Sequence, residues 1–265
     1  MKITIFTSNQ ARHLSLIKSL ASVADECYAV IEGSTVFPGK VDDFFRKSDV
    51  MQDYFSNVID AERSIFGDIG LLPDNAHPLF VRMGDLNYLS RDTLKPFLDS
   101  DLYIVFGSSY IKGWLIDFLV SSKAINIHMG VSPYYRGSSC NFWALNNNDP
   151  HLVGSTIHLL SAGLDSGDML YHAIPTLKDE SPFEFTMKGV YAAHQSLMEK
   201  IADQSIFSIK PVKQDKSKEI CYTRNSDFTD DVAAVFLDRN LTSSGLKKLI
   251  NSKFDESLYL NPFYA

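Results

Sequence analysis

The 265 residues carry 25 Lys and Arg against 32 Asp and Glu, a formal net charge of −7, with 45% hydrophobic and 12% aromatic side chains. That is apolar material for one sizeable α/β domain with a small appendage, and the acidic balance argues against a dedicated nucleic-acid binder or a protein held on an anionic membrane surface. Cys27, Cys140 and Cys221 are widely spaced; an odd count without CxxC spacing offers neither a disulfide framework nor a zinc set and fits a reducing, cytoplasmic setting.

The opening run Met1-Lys2-Ile3-Thr4-Ile5-Phe6 reaches polar Ser8-Asn9-Gln10 too soon for a signal-peptide core. No later run approaches the ~20 apolar residues of a membrane span. Residues 3–7 are predicted as a buried strand, 12–23 as a helix with Leu16, Ile17 and Leu20 on one face, and 26–32 as a second strand. Residues 42–66 read as one long amphipathic helical stretch, 79–83 as a strand, and 91–97 as a short helix behind a Ser90 cap. A strong strand at 101–106 closes on Gly107-Ser108-Ser109. A helix at 114–121, a strand at 124–128, a helix opening at 141–146 and a strand at 154–160 follow. The last third differs: a helix at 181–201, strands at 207–212 and 219–223 joined by a charged turn, and helices at 232–238 and 242–250.

Strands alternating with helices imply parallel βαβ units with right-handed crossovers, whose functional sites lie at the carboxyl ends of the strands. Gly107-Ser108-Ser109, Asn126 with His128, and the loop after Leu160 all belong to such ends. The expected division is a catalytic domain at 1–209 and a small α+β extension at 210–265. The apolar end Leu258-Tyr259-Leu260-Asn261-Pro262-Phe263-Tyr264 would pack on its own domain or on a partner, a second copy included.

The chemistry concentrates between 124 and 170. A lone histidine at a strand end is structural more often than not, but Asn126 points to the same face as His128 two residues on, and Asp165 sits in the Gly-rich run Leu164-Asp165-Ser166-Gly167-Asp168. An amide can hold a developing oxyanion, an imidazole can move a proton, and a carboxylate can fix the imidazole. That kit suits acyl transfer to an amine. Tyr134-Tyr135-Arg136-Gly137 offers an aromatic wall, a cation for phosphate or carboxylate, and a tight turn; an arginine in a salt bridge is the plainer reading of Arg136. Ser132-Pro133 is a place where a cis bond is available, against an ordinary trans turn. Cys140 is weighed as a thiol nucleophile against a small hydrophobe. His158 with His128 and Asp165 would make a two-histidine, one-carboxylate metal set, which nothing in the spacing demands.

Asn126-Ile127-His128, Ser132 to Gly137, Gly154-Ser155-Thr156-Ile157-His158 and Asp165-Ser166-Gly167-Asp168-Met169-Leu170 resemble the folate-dependent formyltransferases. That group includes the glycinamide ribonucleotide, methionyl-tRNA and sugar N-formyltransferases. The likeness runs along about residues 1–200. It implies a Rossmann-like formyltransferase sheet with flanking helices, N10-formyltetrahydrofolate as co-substrate, no metal, and catalytic roles for Asn126, His128 and Asp165. It assigns the folate pocket to Ser109, Tyr110, Ile111 and Lys112 with Ala162, Gly163 and Leu164, and acceptor contacts to Ser8, Arg12, Met129, Tyr135, Arg136, Gly137 and Asn141.

The loop Thr7-Ser8-Asn9-Gln10-Ala11-Arg12 has no glycine, so its backbone is poorly made for the close phosphate approach of the ribonucleotide branch. The short mixed-charge tail is unlike the basic domain of the tRNA branch. The segments Tyr134 to Gly137 and Asn141-Phe142-Trp143 are similar to the sugar-modifying branch. The implied reaction is formylation of a nucleotide-linked amino-deoxy sugar, as in O-antigen and lipopolysaccharide biosynthesis. Another amine acceptor (glycinamide ribonucleotide, an amino acid or a peptide) and formyltetrahydrofolate hydrolysis are the alternatives. The stretch 36–78 departs from compact relatives and would shape the acceptor pocket or a subunit contact.

Overall fold

The computed structural model describes residues 1–33 and 42–265, the side chains of Asp42 and Asp43 excepted; the part of the 36–78 stretch before residue 42 lies outside the described residues. The elements are β1 (Lys2–Ser8), α1 (Ala11–Val23), β2 (Glu26–Gly33), α2 (Asp42–Phe45), α3 (Asp49–Phe66), β3 (Ala76–Arg82), α4 (Arg91–Leu94), β4 (Leu102–Phe106), α5 (Gly113–Ser121) and β5 (Ile125–His128). There follow β6 (Tyr135–Gly137), α6 (Cys140–Asn146), β7 (Ser155–Leu159), β8 (Met169–Ile174), α7 (Pro182–Ala202), β9 (Cys221–Thr223), α8 (Asp230–Asp238), α9 (Ser243–Lys253) and β10 (Phe263–Tyr264).

Eight strands form one sheet in the order β10-β8-β7-β5-β4-β1-β2-β3. From β3 to β5 all neighbours are parallel, whereas β7 runs antiparallel to both β5 and β8. The strand sequences dictate two buried faces. In β1, Ile3 and Ile5 join Leu16, Ile17 and Leu20 of α1 and Val190, Ala193 and Leu197 of α7. Phe6 turns to the opposite face with Leu94, Leu115 and Leu119. In β4, Leu102, Ile104 and Phe106 take the first face and Tyr103 and Val105 the second. Each such side chain contributes about 1.5–3 kcal/mol by leaving water, which fixes the strand register, since a one-residue slip would expose the whole set.

The predicted helix at 42–66 is two helices. Ser48 interrupts it by accepting the backbone N–H of Met51, a side-chain cap that starts α3 afresh. At the other long helix the sequence Ser181-Pro182-Phe183-Glu184 makes a capping box with proline in the first turn. The predicted strand at 207–212 is instead a single turn, Ser205–Phe207, followed by one bridge from Val212 to Met169. Strand β8 was not foreseen.

The 210–265 segment lies against the rest of the chain. β9 pairs with β6, β10 extends the main sheet beside β8, and buried Tyr259 donates its hydroxyl hydrogen to the carbonyl of His151. The apolar end therefore packs on its own domain. A third core joins α3, α6 and α8 through the rings of Tyr54, Phe142, Phe228 and Phe236. No described helix is long and apolar enough to cross a membrane.

Candidate active site

Strand β5 ends at the crevice with Asn126 and His128 on one face, while Ile125 and Ile127 enter the core on the other. Antiparallel pairing sets His158 directly across from Asn126, a register that brings side chains on one face into contact. Asn126 Nδ2 donates to His158 Nε2 at 3.0 Å and to Asp165 Oδ1 at 3.3 Å. His158 Nδ1 lies 2.8 Å from its neighbour's carbonyl, Leu159 O; a carbonyl only accepts, so Nδ1 carries the proton and Nε2 is free to receive from Asn126. Burial drives the His158 pKa down to about 4, which keeps it in that neutral form.

Asp165 reaches the pair from the loop between β7 and β8. Its φ of +44° is unusual for a residue with a side chain. Oδ2 faces His128 Nδ1 at 3.4 Å. His128 Nε2 lies 3.2 Å from the carbonyl of Tyr135. Burial disfavours charge on His128, but the Asp165 carboxylate and the Cys140 side chain outweigh it and hold the imidazole pKa well above 6.5. Burial likewise raises Asp165, yet His128 pulls it below the usual carboxylate value. The carboxylate thus favours the charged form of the imidazole, and the imidazole favours the ionised form of the carboxylate. Cys140 is buried with its thiol on the carbonyl of Gly137 at 3.4 Å, a packing role beside the imidazole.

Two cavities matter here, one lined by Asn126 and Asp165 and the other by Met129, the residue after His128. One, of about 180 Å³, lies between the 107–111 loop and the 160–165 loop and opens on Asn126, His158 and Asp165. Of the expected folate residues, Ser109, Tyr110, Ile111, Gly163 and Leu164 line it. Ala162 contributes its carbonyl to the hydroxyl of Tyr110 at 2.6 Å, a strap between the two walls. Lys112 does not line it: its ammonium lies over the Tyr110 ring, 5.6 Å from the centroid, and its backbone N–H donates to Asn87 Oδ1 while Asn87 Nδ2 donates to the carbonyl of Tyr110. Buried Glu32 fixes the loop from below: its carboxylate accepts the N–H and hydroxyl of Ser109 and the N–H of Gly84. A carboxylate ending an apolar strand was the sequence signal for Glu32; Asn87 gave none.

The second cavity, of about 340 Å³, is bounded by Gln10, Arg12, Glu62, Met129, Asn141 and Phe142, with further apolar walls from α3 and Phe228. The 36–78 stretch thus supplies, through α3, one wall of a cavity that also takes in Met129, the residue after His128. Of the expected acceptor contacts, Arg12, Met129 and Asn141 meet here. Ser8 is buried at the end of β1. The Tyr135 ring points away, its hydroxyl on Asp149 at 2.8 Å, so only its carbonyl reaches the site. Arg136 pairs with Glu219 at 2.8 Å and lies 3.4 Å from the carbonyl of Leu164, joining the extension to the catalytic loop. Gly137 holds φ +88° against β9, where a Cβ would sit 2.0 Å from the carbonyl oxygen of Thr223. The Ser132–Pro133 bond is cis. Gln214, unforeseen, donates to the carbonyls of Asp165 and Gly167 at 2.9 and 2.8 Å. Among the described residues no group of three or more His, Cys, Asp or Glu is arranged to hold a metal ion.

Residues 109–201 match the family model described as formyl transferase. A methionyl-tRNA formyltransferase from Clostridium tetani is 32% identical over 162 residues, which cover 58% of this chain and 48% of the relative; the chain thus spans about half the length of that relative. A sugar N-formyltransferase from Shewanella sp. superposes with a TM-score of 0.52 at 18% identity, over 86% of this chain and 78% of that one. An N-formyltransferase from Helicobacter canadensis, in complex with folinic acid and dTDP-3-aminofucose, superposes with a TM-score of 0.52 at 13% identity, over 86% and 73%. Residues 109–201 therefore match the formyl transferase family, and the chain shares the fold of the solved formyltransferases on which it superposes.

Proposed function

We propose that this protein is a folate-dependent N-formyltransferase whose acceptor is the amine of a nucleotide-linked amino-deoxy sugar. The observation that carries the reaction is the Asn126–His128–Asp165 constellation, with Asn126 and Asp165 on the wall of one cavity and Met129, the residue after His128, on the wall of the other, and with the Asp165 carboxylate 3.4 Å from the imidazole. The matched domain and the folinic acid and sugar nucleotide held by the Helicobacter neighbour support the choice of substrates.

The smaller cavity suits a flat, amide-edged ring: the 107–111 and 160–165 loops wall it, and Ile116, Ile127 and Leu160 give it apolar sides. N10-formyltetrahydrofolate supplies the formyl carbon when bound there. His128, as imidazolium, stabilises the negative charge that grows on the formyl oxygen. Both hydrogens of Asn126 Nδ2 are engaged, and the longer bond, to Asp165 at 3.3 Å, is the one that yields to that oxygen. A carbon–nitrogen bond forms to the acceptor amine as the bond to the folate nitrogen breaks. Asp165 takes the proton the amine sheds, and the His128–Asp165 pair returns one to the departing folate nitrogen, so the pair ends with the protons it began with. Holding two substrates on either side of β5 removes much of the entropic cost of their meeting.

The test is release of tetrahydrofolate, followed by absorbance, with and without UDP-, GDP- and dTDP-linked amino sugars. Release that depends on one sugar nucleotide is the expected result. Release without any amine would mean hydrolysis, and dependence on a different amine would replace the sugar.

A further inference from the structure

We infer that Glu62 is a specificity-determining residue of the second cavity, excluding phosphate from the N-terminus of α1 and selecting a neutral, hydroxyl-bearing ring there. This rests on the reading that this cavity admits the acceptor.

The N-terminus of α1 lies at the carboxyl end of β1, facing the crevice. In an α/β sheet that is where free backbone N–H groups draw an anion. The chain has no side-chain cap of its own at this helix and no acidic residue in its first turn. The place is taken from a distance. Glu62 Oε1, fifty residues on in α3, accepts the backbone N–H of Arg12 at 3.0 Å and Arg12 Nη1 at 2.9 Å. Both side chains are largely buried, at 16% and 9% exposed. A carboxylate thus already occupies the anion position and pairs with Nη1 of the nearest guanidinium, whose Nε is buried without a partner. A phosphate entering here would meet a buried like charge.

The rest of the cavity agrees. Tyr54, Val58, Met129, Phe142 and Phe228 give it apolar and aromatic walls. Gln10 Oε1 and Asn141 Nδ2 are buried without a hydrogen-bond partner, and Asn141 as a whole is only 4% exposed. Unpaired acceptor and donor groups beside aromatic walls match the hydroxyls and apolar face of a deoxy-sugar ring. The phosphates of a nucleotide sugar then lie outside this cavity.

Binding to the full chain, read by backbone amide resonances of Gln10, Ala11 and Arg12, tests this with two probes. Ribose 5-phosphate should give no saturable shift in the wild type in the millimolar range and bind about tenfold or more tightly to Glu62→Gln, the step one charge-assisted hydrogen bond makes in an affinity. A methyl 6-deoxyhexoside, which is neutral, should show the reverse order. Ribose 5-phosphate carries no amine, so the outcome is independent of whether formyl transfer occurs. Saturable binding of ribose 5-phosphate to the wild type at these amides would overturn the inference, and that measurement holds even if Glu62→Gln does not fold.

Discussion

At the residue scale, the proposed chemistry rests on the pairing of His128 with Asp165, 3.4 Å apart and largely buried. His128 would be neutral if burial acted alone; Asp165 reverses that. Replacing Asp165 by Asn should therefore bring the His128 titration midpoint, followed by NMR of the imidazole, from above 6.5 to below it, and leave a neutral ring at pH 7. Loss of the imidazole itself, in His128→Ala, should lower turnover about 10²–10⁴-fold, the usual worth of a positioned acid or base, with the far-UV circular dichroism unchanged. Because the His128 pKa is raised and that of Asp165 lowered, the wild-type rate should fall on the alkaline side as His128 loses its proton; a rate still climbing through that limb would place the proton elsewhere. Asn126, His128 and Asp165 were readable in the sequence because the first two share a strand end and the third a turn-rich loop. Glu62 and Asn87 were not, because each acts on a partner 23 to 50 positions away, and no local pattern records that.

At the element scale, the parallel half of the sheet was legible because each strand is a compact apolar run between turn residues. Strand β8 escaped because its six residues, Met169–Ile174, are all buried and show no alternation, and its second neighbour, β10, comes from the distant chain end. The same nonlocality hid what the C-terminal segment does. It grips the catalytic loop through Gln214 and the β6 edge through β9. Gln214→Ala should reduce turnover about tenfold with little change in folate affinity, since near-attack geometry at Asp165 is what it secures; an unchanged rate would mean the loop holds itself. Gly137→Ala puts a Cβ into the Thr223 carbonyl at a left-handed φ. It should cost about 1–3 kcal/mol in urea unfolding.

At the scale of the whole molecule, the three-layer α/β architecture followed from strand–helix alternation, and the aromatic core binding α3 to α6 and α8 did not, since it is assembled from residues 54 to 236. Several histidines are buried in that architecture without charge: burial lowers His158 and His172 to about 4 and His194 to about 3. A histidine whose folded pKa lies below its unfolded value stabilises the fold fully above pH 6.5 and loses that contribution as pH falls. Each should cost about 1.4 kcal/mol per pH unit between 6.5 and 4, so urea midpoints should drop steeply over that interval; a flat profile would mean these rings are charged in the fold. The most direct test of the central claim uses N10-[13C]formyltetrahydrofolate with the amino-sugar nucleotides and mass spectrometry of the products. The expected result is a 13C formamide on one sugar nucleotide with the wild type and none above background with His128→Ala. Labelled formate as the sole product, or equal formamide from both proteins, would contradict formyl transfer at this site.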